Sequence, residues 1–206
     1  MRVRRVVVLL LCLLALPACR RWHRQVVPGL AMAAPEQEDL SSVPPLAFQR
    51  DGYDIKLTPR ARYAVRAWVL ATDDSSRMDD WTFVMPLDVG LAWGALADPA
   101  VLEPLSFHLA RRYISVSWDR TPSISDRGVM VSMSNHHLIP SDPQVHATLK
   151  RLRPGHLVEL RGYLVDVDVT GGDGRRTRQF HTSLSREDIG SGACEILYVE
   201  TATIVR

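Results

Sequence analysis

The last stretch of the chain, Glu195–Val205, constrains the fold most. Ile196, Tyr198, Glu200, Ala202 and Ile204 fall on one face of an extended strand, and Leu197, Val199, Thr201, Thr203 and Val205 on the other. A strand apolar on both faces cannot sit at a solvated edge, so it belongs in the centre of a sheet or in a closed barrel. Alternation with β-branched and aromatic residues predicts further strands at Tyr63–Ala71, Thr82–Pro86, Tyr113–Trp118, Gly128–Ser134, Leu157–Val169 and Thr177–Ser183.

Helical signals are fewer. Ser141-Asp142-Pro143 opens the clearest one, with serine able to cap and proline tolerated in a first turn. Val145, Leu149 and Leu152 then form one apolar stripe that Pro154-Gly155 ends. Two more helical pieces are expected between Asp88 and Ala97, where Val89, Trp93 and Leu96 align, and from Leu102 to Arg111. Gly162 lies inside a strand pattern, where it permits the bend or bulge by which a strand turns in a small barrel. Gly171 to Arg176 reads as a hairpin tip. The expected fold class is mixed α+β and mostly antiparallel β: a small barrel-like, OB-like sheet with two or three short helices.

The N-terminus decides what is left to fold. Arg2, Arg4 and Arg5 precede Val6–Leu16, and about 11 apolar residues fall short of the roughly 20 a spanning helix needs. Leu16-Pro17-Ala18-Cys19 follows, and the whole resembles a bacterial lipoprotein signal. Residues 1–18 are then a signal peptide, and Cys19 is the lipidated mature N-terminus. Two or more acyl chains would anchor it stably to a membrane, with the domain on the extracytoplasmic side of a bacterial envelope, the periplasm if Gram-negative. An ordinary cleaved secretory signal and an uncleaved anchor are the alternatives. Residues 19–49, rich in Pro, Ala, Glu and Ser, read as a flexible tether, and 50–206 as one domain. Trp22 with Arg20, Arg21 and Arg24 could graze anionic headgroups.

Loss of the three leader arginines takes the formal charge from +2 to −1, so no nucleic-acid partner is expected. Of the cysteines, Cys12 is discarded and Cys19 acylated, which leaves Cys194 without an intramolecular disulfide partner.

The richest polar run is Ser132-Met133-Ser134-Asn135-His136-His137. Adjacent histidines on a strand point to opposite faces, so His136 and His137 would not share a metal. Neither they nor His108, His146, His156 and His181 show zinc-site spacing. No metal and no cofactor is expected. A Cys194 nucleophile would need a base to populate its thiolate; His137 could supply that, with Asn135 orienting it. The bland alternative is a buried thiol, with Asn135 and one histidine hydrogen-bonding to buried backbone. Asp88 and Arg112 could form a structural salt bridge beneath an aromatic cleft, where Trp93, Tyr113 and Trp118 stack on a sugar or apolar ligand. The competing reading of those rings is core.

WTFVMPLDVGLAWGALAD (Trp81 to Asp98), Arg112-Tyr113, NHHLIP (Asn135 to Pro140), LRPGHLVELRGYLVDV (Leu152 to Val167) and TSLSREDIGSGACEILYVE (Thr182 to Glu200) together resemble an uncharacterised family of bacterial envelope lipoproteins. The resemblance implies no activity. It implies that Asp88, Trp93, Gly94, Arg112, Asn135, His137, Leu138, Pro140 and Cys194 are the characteristic positions. His136 and His181 depart from the pattern, which makes both poor catalytic candidates. Three functions follow: a non-enzymatic domain binding an envelope protein, glycan or small ligand; a thiol hydrolase or transferase using Cys194 and His137; and a glycan- or cell-wall-binding barrel using Trp93 and Tyr113.

Overall fold

A computed structural model of the chain describes residues 26–31, 33–40, 42–74, 81–171, 177–188, 190 and 192–206. Cys19 and the 1–18 leader lie outside the described residues, as does the 172–176 hairpin tip.

Among the described residues ten strands are formed: β1 (Glu36–Asp39), β2 (Leu46–Arg50), β3 (Tyr53–Asp73), β4 (Leu87–Ala92), β5 (Leu105–Ala110), β6 (Tyr113–Trp118), β7 (Met133–Pro140), β8 (Leu157–Gly171), β9 (Thr177–Phe180) and β10 (Glu195–Ile204). Short helices α1 (Pro99–Leu102), α2 (Asp126–Val131) and α3 (Pro143–Leu149) join them, with a 3₁₀ turn at Gly94–Ala97. Strands β3, β4, β7, β10 and β8 pair in that order, and β8 pairs back onto β3, so the sheet closes into a ring. Among the described strands only the β7–β10 pair runs parallel. Three successive antiparallel strands, a helix, a fourth strand paired with the first, and a fifth between fourth and third make the OB-like arrangement expected.

As its two apolar faces require, β10 is central, between β7 and β8. Its first half is buried on both faces; from Glu200 onward it is partly exposed. The ring interior is filled by Ala61, Tyr63, Val65, Leu91, Leu138, Leu160, Leu164 and Leu197 among others. Helix α3 plugs one end, adding Val145, Leu149 and the following Leu152. Its cap is Asp142 rather than Ser141: the Asp142 carboxylate accepts from the Gln144 and Val145 amides at 2.7 and 2.9 Å.

Besides a register shift at Val69/Ala71, two irregularities let straight strands close. Before Pro59, the odd-numbered residues Ile55 and Leu57 pack in an outer cluster; after the register shift at Pro59/Ala61, the odd-numbered residues line the ring. At the second, β10 shifts register between Val199 and Thr201 opposite Gly162. A Cβ on Gly162 would meet the Tyr198 carbonyl oxygen at 1.9 Å, so only glycine allows this approach.

Several sequence expectations are corrected. Asp88–Ala97 is not a helix: it is β4 followed by a 3₁₀ turn, and every β4 residue is buried. Burial on both faces erases any period, and the spacing of Val89, Trp93 and Leu96 imitates a helical stripe. Leu102–Arg111 is mostly β5, while Gly128–Ser134 spans the end of α2 and the start of β7. The strand expected at Thr82–Pro86 is a turn leading into β4. The tether reading of 19–49 also gives way over its described part. Val26 and Ala31 are buried, Ala31 accepts a bond from the Gly94 amide at 2.9 Å, and β1 and β2 pair with β3.

Candidate functional site

The site grows from the register of β4 on β7. Asp88 lies opposite His137, and Gly90 opposite Asn135. All four sit on the outer face, since their neighbours Val89, Leu91 and Leu138 fill the ring. That face is covered by the β5–β6 hairpin. The hairpin approaches closely because Gly90 has no side chain: a Cβ there would meet Ile114 Cδ1 at 2.3 Å.

The turn of the hairpin carries the decisive residue. Arg111 and Arg112 both adopt left-handed backbone angles, φ 51° and 69°, where side-chain-bearing residues are strained by roughly 1–2 kcal/mol each. Arg112 is held there by its own side chain and carbonyl. Its Nη1 donates to Asp88 Oδ1 at 2.8 Å and its Nη2 to the Met85 carbonyl at 3.0 Å. Asn135 Nδ2 donates to the Arg112 carbonyl at 2.9 Å. Asp88 Oδ1 also lies 2.9 Å from His137 Nδ1, and the His137 ring stacks at a tilt on Phe180. Asp88 is 0% exposed and His137 1%. The Asp88–Arg112 pair therefore exists as the sequence suggested, as a buried clasp on the hairpin.

The expected Cys194–His137 pair is not formed. Cys194 Sγ meets Asn135 Nδ2 at 3.7 Å and the Arg112 carbonyl at 4.0 Å, while His137 turns to Asp88. Burial pushes the Cys194 thiol up to about 11, against a smaller pull from the Asn135 hydrogen bond. At neutral pH it is a thiol, a poor nucleophile. Cys194 forms no disulfide. Among the described residues, no group of three or more His, Cys, Asp or Glu side chains is placed to hold a metal ion.

Trp93 and Tyr113 do not share a sugar-stacking surface. Trp93 is 3% exposed and packs in the ring core, whereas Tyr113 is 60% exposed on β6. Trp118, at the other end of β6, is also exposed.

A second polar cluster fills the inner face of the same strands. His136, pointing opposite to His137, accepts or donates at 2.9 Å with the Tyr63 hydroxyl. The Glu195 carboxylate takes hydrogen bonds from Arg186 and from Ser134. Burial drives the Glu195 carboxyl up to about 8, with Arg186 pulling the other way, and drives His136 down to about 3. Ser134 belongs to the polar run that the sequence marks, whereas Tyr63, Arg186 and Glu195 are not candidates from sequence. The available signal was Glu195, a carboxylate in phase with the apolar positions Leu197 and Val199.

Between the clusters opens a small cleft of about 110 Å³, rimmed by Tyr113 and walled by Ile114, Met130, Met133, Asn135 and Cys194. A recess of about 20 Å³ shares Met130, Met133 and Ser134 as walls and reaches Trp93, Arg186 and Glu195.

No family model matches the chain, and neither a curated protein nor a solved structure is found to be similar to it.

Proposed function

We propose that this chain is a lipid-anchored envelope protein whose ring domain binds a partner or ligand and performs no chemistry. The observation behind this reading is how Asp88, Arg112, His137 and Asn135 are used. These are the residues best suited to catalysis, and they are sealed beneath the β5–β6 hairpin and engaged in holding it there. The remaining nucleophile has its thiol held up near 11 by burial and has no imidazole partner. Anchoring rests on the Leu16-Pro17-Ala18-Cys19 signal.

Two measurements test the two halves. Cys194 should react with a maleimide at pH 7.5 about 100-fold more slowly than a free cysteine, because its thiolate is scarcely populated. Labelling at the free-thiol rate would return the chain to the thiol-enzyme reading. A Cys19→Ser variant should leave the membrane fraction or accumulate with its leader uncleaved; full processing with unchanged partitioning would end the lipoprotein reading.

A further inference from the structure

Three sulfur side chains line the small cleft between α2, β7 and the start of β10: Met130 from α2, Met133 from β7, and Cys194. The strand register brings them together. Glu195 lies opposite His136 where β10 runs parallel to β7, so Cys194 falls beside Asn135, its Sγ 3.7 Å from Asn135 Nδ2. Met133 shares a face of β7 with Asn135, and Met130 stands three residues before it at the end of α2. Both thioethers sit on unbranched chains with three rotatable bonds, so their sulfurs can turn toward a small guest.

The size and the donors of the cleft both select an ion. Its volume of about 110 Å³ is well below the roughly 300–1,000 Å³ of pockets that take drug-sized molecules, and is ample for a single ion. Asn135, 3% exposed, lines the cleft with its Oδ1 unpartnered. A buried acceptor left unmatched costs about 1–3 kcal/mol, which a cation in the cleft would recover. Asp188, at the same cleft, adds a negative field that disfavours anions. Thiol and thioether sulfur are soft ligands and select Cu(I) over oxygen-seeking ions, while zinc takes thiolate, imidazole or carboxylate and leaves thioethers aside. A monovalent ion that replaces the thiol proton also leaves the charge of the cleft unchanged. A divalent ion would add a charge between the apolar walls Ile114 and Ala193, where it is costly.

We infer that this cleft binds one soft monovalent metal ion, of the Cu(I) class, through the sulfurs of Cys194, Met130 and Met133, with Asn135 Oδ1 as a further donor. On binding, the S–H bond of Cys194 gives way to a sulfur–metal bond, the proton leaves to solvent, and no electron is transferred. This rests on the binding reading above and names its ligand. It departs from the sequence expectation of no metal, which weighs histidine and cysteine spacing and is blind to thioethers.

The test uses the full chain in lipid nanodiscs, labelled at methionine methyl carbons and titrated in chloride-free buffer. Silver(I) is the probe, a closed-shell ion like Cu(I) that stays monovalent in air, and zinc(II) is the comparison. Cys12 and Cys19 can each take silver too, so the titration runs to about four equivalents and only the Met130 and Met133 signals report the cleft. The expected result is saturable movement of both signals with silver and none with zinc. Met85, buried in a different cluster, should stay still. Cys194→Ala should abolish the response while keeping a dispersed spectrum. Should that variant misfold, Met130→Leu at a half-buried position tests the site through Met133, whose response should then need about tenfold more silver. No movement, equal movement at Met85, an equal response to zinc, or a response unchanged in either variant would each overturn the assignment. Slow maleimide labelling of Cys194 in the metal-free chain would still stand in those cases, so failure here is separable from failure of the non-catalytic reading.

Discussion

His136 and His137 are neighbours in sequence and belong to opposite kinds of structure. His137 joins a buried ion pair that ties the β5–β6 hairpin to the outside of the ring. His136 faces inward, where Tyr63, Ser134, Glu195 and Arg186 form a cluster whose titrating members are strongly displaced by burial. The outer network spends two charges on geometry. The inner one tolerates charge poorly, so its protonation state follows pH. One strand thus builds a clasp on one face and a titratable plug on the other.

The largest expected effect tests the clasp. Arg112→Met takes the guanidinium away from the fully buried Asp88 carboxyl and should cost about 3–5 kcal/mol in urea unfolding. A loss under about 1 kcal/mol would erase the distinction between the networks. Next come the pH slopes of the plug. His136 is held neutral far below its ordinary range, so its contribution is full above about pH 6.5. It is lost as pH falls toward about 3, where the unfolded chain is already protonated. Glu195, raised to about 8, contributes fully below about pH 4.5, and that contribution is lost as pH rises through 8. Unfolding midpoints measured from pH 3 to 9 should therefore lose the slope between about pH 3 and 6.5 in His136→Gln and the slope between about pH 4.5 and 8 in Glu195→Gln. Slopes unchanged in both variants would mean that the titrating groups lie elsewhere. The smallest effect sharpens the boundary: Gly90→Ala pushes only the tip of Ile114, so it should cost about 1 kcal/mol and narrow the cleft measurably by methionine-methyl shifts.

Much of the frame is legible in sequence where one physical rule acts alone. Tyr113–Trp118, Leu157–Val169 and Glu195–Val205 announce themselves by alternation, and α3 by its stripe between Pro143 and Pro154. Legibility fails where two rules compete. In β4 both faces are buried, so strand and helix leave the same trace. In residues 36–50 polar, proline-rich sequence forms strands only because β3 offers an edge, which no local pattern records. The Asp88–Arg112 pair could be anticipated from charge and neighbouring aromatics. The third member, His137, depends on which strand lies beside β4, and that is a property of the closed ring.

Ring closure also governs when this molecule can acquire its shape. Strand β3 comes early in the chain, yet it pairs with β8 from Tyr53↔Gly171 through to Trp68↔Leu157, across most of the domain's length. Until β8 emerges, β3 lacks the neighbour along that whole edge, and the interior plug has no wall to lean on. Such distant pairing makes folding late and cooperative. A polypeptide of this kind stays open until β8 is available, and then shuts in one step.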